Sequence, residues 1–306
     1  MTRFLFTGIR ADGTELPLPA PAEARFDAAD DAPADGFRGV FPLSKPCGTL
    51  ARLRISGADG TTLFLGTADV QREAVSGTGG TLSLSCRSLA GLLLDSAAVP
   101  QTYDSPSLGL IFKRHVEPYG FASFLGDASP FRGTLGVACG MSEWQAAAAF
   151  CKSFLGVTPR VRGNVFDASG AAEGGFLPLD NARGTRWFHA EVRLRRCDLL
   201  SAVYTPDGST GVWRPAAEDA TAAAEGIRRN RCLKNSNADA GAALRKAERS
   251  AFAVLADCPG APEVSVGAGA SFCDPALGFF SGLTVARVRC VFGAEGLRTS
   301  YCLRRG

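Results

Sequence analysis

The chain has 306 residues, 46% of them hydrophobic and 21% charged, with a net charge of +3. That length suits two domains and the apolar share suffices for real cores, while the charge is too small to specify a nucleic-acid partner by itself. Ten cysteines, at 47, 86, 139, 151, 197, 232, 258, 273, 290 and 302, form no Cys-x-x-Cys, and two histidines leave a zinc site little to work with.

Met1-Thr2-Arg3 leads into FLFTGI without a signal peptide, and residues 3–9 read as a strand. No apolar run approaches the ~18 residues of a membrane span. The expectation is a soluble protein made in a cytoplasm, its cysteines reduced and mostly buried as small hydrophobes. Residues 1–35 carry a net charge of −4 and the remainder +7. The acidic run Glu23–Gly36, rich in Ala, Pro and Asp, reads as an exposed loop between two apolar strands. In Gly48–Ser56, Leu50, Arg52 and Arg54 alternate with Ala51, Leu53 and Ile55; Ala58–Gly60 reads as a hairpin turn, and Thr61–Val75 returns as a long, bent strand. Ser76–Gly80 is a second turn. Leu82, Leu84 and Cys86 then alternate with Ser83, Ser85 and Arg87, and from Ser88 the apolar spacing tightens to Leu89, Leu92, Leu93. A strand therefore passes into a short helix with no loop between.

Leu108, Ile111, Phe112, His115, Val116 and Tyr119 share one helical face, ending at or just past Pro118. Ser142 with Gln145 three residues on predicts a capping box, and Trp144, Ala148, Cys151 and Leu155 share the following helix's face up to Gly156. A strand and turn follow, and Gly170–Gly184 reads as a linker. Strands resume with Phe188, Ala190, Val192 and Leu194 opposite His189, Glu191, Arg193 and Arg195, and continue through Tyr204, Val212 and Ile227. Leu244, Ala247, Ala251, Val254, Leu255 and Cys258 predict a helix over about 236–257, stopped by Pro259-Gly260. A hairpin about Gly293–Gly296 closes the chain.

Chemistry is sparse. No G-x-S-x-G elbow, Walker loop, G-x-G-x-x-G or H-E-x-x-H occurs, and the Gly77–Gly80 run joins two strands. His115 lies on an apolar face, as packed histidines do; His189 lies on a polar strand face. Asp30-Asp31 has no apolar shielding to raise a carboxyl pKa. No catalytic, cofactor-binding or metal-binding residue is assigned, and no cofactor. The Arg pairs 52/54, 193/195 and 287/289 read either as solvated sheet faces or as faces turned toward an acidic neighbour or a shared channel.

The phrases CRSLAGLLLDSAAVPQTY (86–103), LGLIFKRHVEPYGF (108–121), WQAAAAFCKSFLGVTPRVRGNVFDASG (144–170), EGIRRNRCLKNSNADAGAALRKAERSAFAVLADCPG (225–260) and the closing strands resemble, colinearly over about residues 48–306, the baseplate hub proteins of contractile phage tails, the late-control-D and Mu-like hub family. The resemblance implies an α+β, β-rich fold of two tail-tube-like antiparallel barrels: 1–87 as the first barrel, 88–180 as an inserted α+β unit, and 181–306 as the second barrel with the long helix. It implies a homotrimer that adapts the hexameric tail tube to the trimeric spike, contacts other baseplate proteins, serves as platform for tube assembly, binds no membrane of its own and meets DNA only in passage through the lumen. Its place would be the tail baseplate of a virion or a phage-like injection particle, assembled in the bacterial cytoplasm, and it would not be an enzyme. The alternative is a cytoplasmic β-rich enzyme with a Cys nucleophile.

Overall fold

The protein, a computed structural model, is described for residues 4–57, 60–77, 79–171, 173–236 and 238–306. Its chain divides into two compact units, Met1–Ala172 with Arg289–Arg298, and Glu173–Val288 with Thr299–Gly306. The architecture is α+β and rich in strand.

Period-two alternation builds the first unit's sheet from β1 (Leu5–Ile9), β2 (Glu15–Leu18), β3 (Glu23–Ala29), β4 (Gly36–Leu43), β5 (Arg52–Ser56), β6 (Thr62–Ser76) and β7 (Gly79–Ser88). The spatial order is β3-β4-β7-β6-β5-β1-β2, with every neighbouring pair antiparallel. Inward residues such as Phe6, Phe37, Phe41, Leu53, Leu82 and Leu84 form its core. The rings of Phe6, Phe37 and Phe41 meet at centroid distances of 5.4 to 6.4 Å. Each such side chain stabilises the fold by about 1.5–3 kcal/mol through burial. The bend expected in β6 is a bulge: its register against β7 slips between Ala68 and Val70, leaving Asp69 unopposed.

The acidic segment is a loop only over residues 30–35. Glu23–Ala29 is β3, paired with β4. Ala24, Phe26 and Ala28 are its more buried side chains, and three small alanines disguised the alternation with Glu23, Arg25 and Asp27. The turns expected at 58–60 and 76–80 include residues 58, 59 and 78, which lie outside the described residues.

After β7 come α1 (Ala90–Asp95), β8 (Gln101–Asp104), α2 (Leu108–His115), β9 (Ser123–Leu125), β10 (Thr134–Val137), α3 (Glu143–Phe150), β11 (Arg160–Arg162) and β12 (Val165–Asp167). Their apolar faces make a second core that includes Leu89, Leu93, Leu108, Ile111, Phe150 and Phe166. Ser142 caps α3, and both halves of the predicted box form with Gln145. A π-helical turn, Cys151–Leu155, prolongs α3 to Gly156, whose φ of 69° ends it.

The second unit contains β13 (Phe176–Asp180), β14 (His189–Leu194), β15 (Ala202–Pro206), β16 (Trp213–Glu218), α4 (Ala220–Ala224), β17 (Asn230–Cys232), α5 (Ala240–Ala251), β18 (Phe252–Pro259), β19 (Gly269–Asp274), β20 (Gly278–Gly293) and β21 (Gly296–Arg305), the tip of the last hairpin grouping with the first unit. Its sheet order is β14-β18-β21-β20-β19-β13. The expected linker 170–184 is in part β13, paired parallel with β19, and Leu177 and Leu179 are fully buried. Val212 and Ile227, expected in strands, both lie outside them, Val212 just before β16 and Ile227 after the turn that follows α4. The helix expected over about 236–257 is α5 alone; residues 252–259 are β18, with Phe252, Val254, Ala256 and Cys258 buried at period two. In neither unit does pairing among the described strands close into a ring, so the barrels implied by the resemblance are open sheets here.

Candidate functional site

The strand-to-helix joint at Ser88–Leu89 is a densely bonded polar junction of the first unit. Ser88 donates its backbone N–H to the Asp35 carbonyl at 2.8 Å, and its Oγ accepts from the Asp35 N–H at 3.1 Å. One residue earlier, the Arg87 guanidinium spans the joint. Its Nε reaches Asp69 Oδ2 on the β6 bulge at 2.6 Å, and its terminal nitrogens meet both oxygens of Asp95, the last residue of α1, at 3.1 and 2.5 Å. These bonds hold Arg87 more firmly protonated and draw the Asp95 carboxyl below its ordinary range. Backbone packing leaves no latitude: a Cβ on Gly66 would stand 2.2 Å from the Arg87 carbonyl oxygen and 2.5 Å from the Phe64 ring.

A counterpart lies in the second unit, where α5 passes into β18 between Ala251 and Phe252 with no intervening loop. Arg305 of β21 spans it, donating to Glu248 Oε1 at 3.0 Å and lying 5.0 Å above the centre of the Phe252 ring. The Arg195 N–H donates to the Ala251 carbonyl.

His115 is buried, as its apolar face predicted, but it is not merely packed. Its Nε2 lies 2.8 Å from the Tyr103 hydroxyl and its Nδ1 2.5 Å from Glu143 Oε2, while the Tyr119 hydroxyl donates to Glu143 Oε1 at 3.1 Å. Burial raises the Tyr103 pKa. The network cross-links β8, α2 and α3. The raised pKa keeps the Tyr103 phenol protonated near neutral pH. Sequence reasoning missed the network; Tyr103, His115 and Glu143 converge only through the fold.

The remaining sequence candidates disperse. His189 is exposed on β14. Arg54 pairs with Glu15 at 2.6 Å, Arg193 with Glu191 at 2.8 Å and Arg195 with Asp198 at 3.3 Å, all partly exposed, which is the solvated-face reading. Arg289 differs: within the first unit its Nε reaches Asp27 Oδ2 at 2.9 Å, and Arg25 meets the same oxygen at 2.6 Å. Nearby, burial and then the Asp27 charge push the Asp35 carboxyl up to about 7. None of the ten cysteines is joined in a disulfide; 47, 86, 151, 258 and 290 are buried, but 139, 197, 232 and 273 are exposed, so the expectation of mostly buried thiols holds for only half of them. Burial raises Cys47 to about 11 and Cys86, Cys151 and Cys258 to about 12, which keeps those thiols protonated. Among the described residues no group of three or more His, Cys, Asp or Glu side chains is placed to hold a metal ion. No described helix is long and apolar enough to cross a membrane.

No protein-family model and no curated protein matches the chain. Solved structures do. A tail protein from Neisseria meningitidis MC58 is similar with a TM-score of 0.74 at 19% identity, covering 99% of this chain and 96% of its own. The 43 kDa tail protein of prophage MuSo2 from Shewanella oneidensis gives 0.78 at 13% identity, covering 100% and 98%. The E. coli c3393 protein, a type VI secretion component described as similar to the T4 bacteriophage tail proteins gp27 and gp5, gives 0.58 at 10% identity, covering 95% and 75%. The chain thus has the fold of phage tail proteins over its whole length.

Proposed function

We propose that the chain is the baseplate hub of a phage tail or phage-like injection particle, a structural homotrimer that adapts the hexameric tail tube to the trimeric spike and seeds tube assembly. The observation that carries this reading is the end-to-end fold match to two tail proteins, which leaves neither chain a large unmatched part. The local chemistry is consistent with it. The polar groups that converge, at Arg87, at His115 and at Arg305, each join elements of the fold. In this reading each chain supplies two tube-like units, three chains give six, and closed rings repeat one contact around an axis. The open sheets of the single chain would be completed as barrels and ring only in the particle. DNA or another cargo would pass through the lumen without specific binding, and spike, tube and other baseplate proteins would be the partners.

The test is deletion of the gene in a cell that produces the particle, followed by electron microscopy of lysates. The expected result is no assembled tube, with wild-type tails restored by a copy supplied in trans. Normal tails in the deletion strain would overturn the proposal.

A further inference from the structure

The two large sheets end in edges that are not equivalent. On β2, the register with β1 and the Arg10 N–H bond to the Thr14 carbonyl turn the backbone groups of Glu15 and Pro17 outward, and proline has no N–H to offer. On β13, Thr185 covers the outer edge, donating to the Pro178 carbonyl at 2.7 Å and accepting from the Asp180 N–H at 3.2 Å. The outer edge of β14 is neither covered nor interrupted by proline among the described residues. The Arg195 N–H bonds the Ala251 carbonyl, and the ladder with β18 continues in register, so His189, Glu191 and Arg193 point their backbone groups at β18. Ala190, Val192 and Leu194 therefore point theirs outward. An edge of this kind is a template for another strand.

The sequence of that edge is complementary to itself. In an antiparallel pair centred on Val192, the outward backbone groups of Val192 meet those of Val192 in a second copy, and those of Ala190 meet Leu194, giving six backbone hydrogen bonds. The same register sets Glu191 directly opposite Arg193, and Arg193 opposite Glu191, as non-hydrogen-bonded pairs, in which side chains stand closest. Ala190 and Val192 continue the apolar face that packs on the unit's core, and Leu194, 56% exposed, is covered by the facing strand. Glu191 and Arg193 already attract each other within one chain, at 2.8 Å, so the cross-strand pairs extend an existing charge pair into a group of four. The next pair outward sets His189 against Arg195, whose guanidinium is held by Asp198.

We infer that the free chain forms a twofold dimer by antiparallel pairing of β14 with β14 of a second copy about Val192. Such a contact is isologous and closes on itself, so it hides the edge without propagating fibres. It does not build a threefold ring, and incorporation into one would require the seam to open. The inference does not rest on the proposed hub function, because it is read on the free chain in solution.

Sedimentation equilibrium of the full-length chain tests it. The expected result is a reversible monomer–dimer equilibrium. Glu191→Arg and Arg193→Glu each place like charges opposite each other in two symmetric pairs and should weaken dimerisation about tenfold or more. The double swap Glu191→Arg with Arg193→Glu restores opposite charges and should recover the wild-type dissociation constant to within about threefold. Val192→Pro removes the central outward N–H pair and should abolish the dimer. The charge variants alter exposed side chains, and circular dichroism on each verifies the fold. A wild-type chain that stays monomeric at ~100 μM would overturn the inference. So would single swaps without effect, a double swap no better than the single ones, or an oligomer of another order indifferent to these changes.

Discussion

The two units solve the same problem in different chemistry. Each contains a direct passage between strand and helix, and each passage is spanned by an arginine. In the first unit, Arg87 makes three bonds to two carboxylates while Ser88 and Asp35 exchange backbone and side-chain bonds beneath it. In the second, Arg305 makes one ion pair and lies over one ring. Exposure follows the same order: the Arg87 side chain is 38% exposed and that of Arg305 56%. Charged contacts gain strength when water is kept from them and several donors are fixed by one geometry. Polar geometry therefore contributes more at the first joint than at the second, where the burial of Phe252 dominates.

That contrast can be broken from either side. The largest expected effects lie in the apolar residues at the joints. Phe252→Ala removes a ring packed on Phe280 at 5.2 Å and should cost about 3–5 kcal/mol, and Leu89→Ala, fully buried, about 2–5 kcal/mol. Hydrogen exchange read peptide by peptide should place the Phe252→Ala loss in the second unit and the Leu89→Ala loss in the first. Next comes Gly66→Ala, which forces a methyl against the Arg87 carbonyl; urea unfolding should show a cost of about 1–3 kcal/mol. The arginines then separate the joints. Arg87→Ala should cost about 1–2 kcal/mol, and Arg305→Met, which keeps an apolar contact on Phe252, no more than about 0.5 kcal/mol. Equal losses would remove the distinction drawn between the two joints.

A separate, pH-dependent effect belongs to the first joint alone. The folded Asp35 carboxyl titrates near 7, against an ordinary 3.8. Between those values the folded state holds a proton that the unfolded chain has released, so stability through this group falls as pH rises from about 4 to about 7 and is level above that. Asp35→Asn should remove this slope, raising the melting temperature at pH 8 relative to wild type and narrowing the difference at pH 5. A melting temperature that differs equally at both pH values would contradict the assignment.

The two joints also explain what was legible beforehand. At Ser83–Leu93 polar and large apolar residues alternate cleanly before the spacing changes, so both elements and their joint could be read from sequence. At Ala240–Cys258 the helix-forming alanines continue past the joint, and Ala247, Ala251, Val254 and Cys258 satisfy helical spacing as well as Phe252, Val254, Ala256 and Cys258 satisfy that of a strand. Local pattern was degenerate there, and pairing with β14 decided it. The same ambiguity hid β3 behind Ala24, Ala28 and Ala29. The capping box at Ser142 was readable because it is local, spanning three residues. The Tyr103–His115–Glu143 network was not, because its members come from three elements and are joined only by packing.

The proposed role stands or falls on copy number and position in a particle. The direct measurement is a cryo-electron reconstruction of tails from a producing strain, computed without imposed symmetry and with this chain identified by an inserted tag. The hub proposal predicts three copies around one axis between tube and spike, each contributing two tube-like units at about 60° spacing. Six copies, a position away from that junction, or no copy in the mature tail would contradict it.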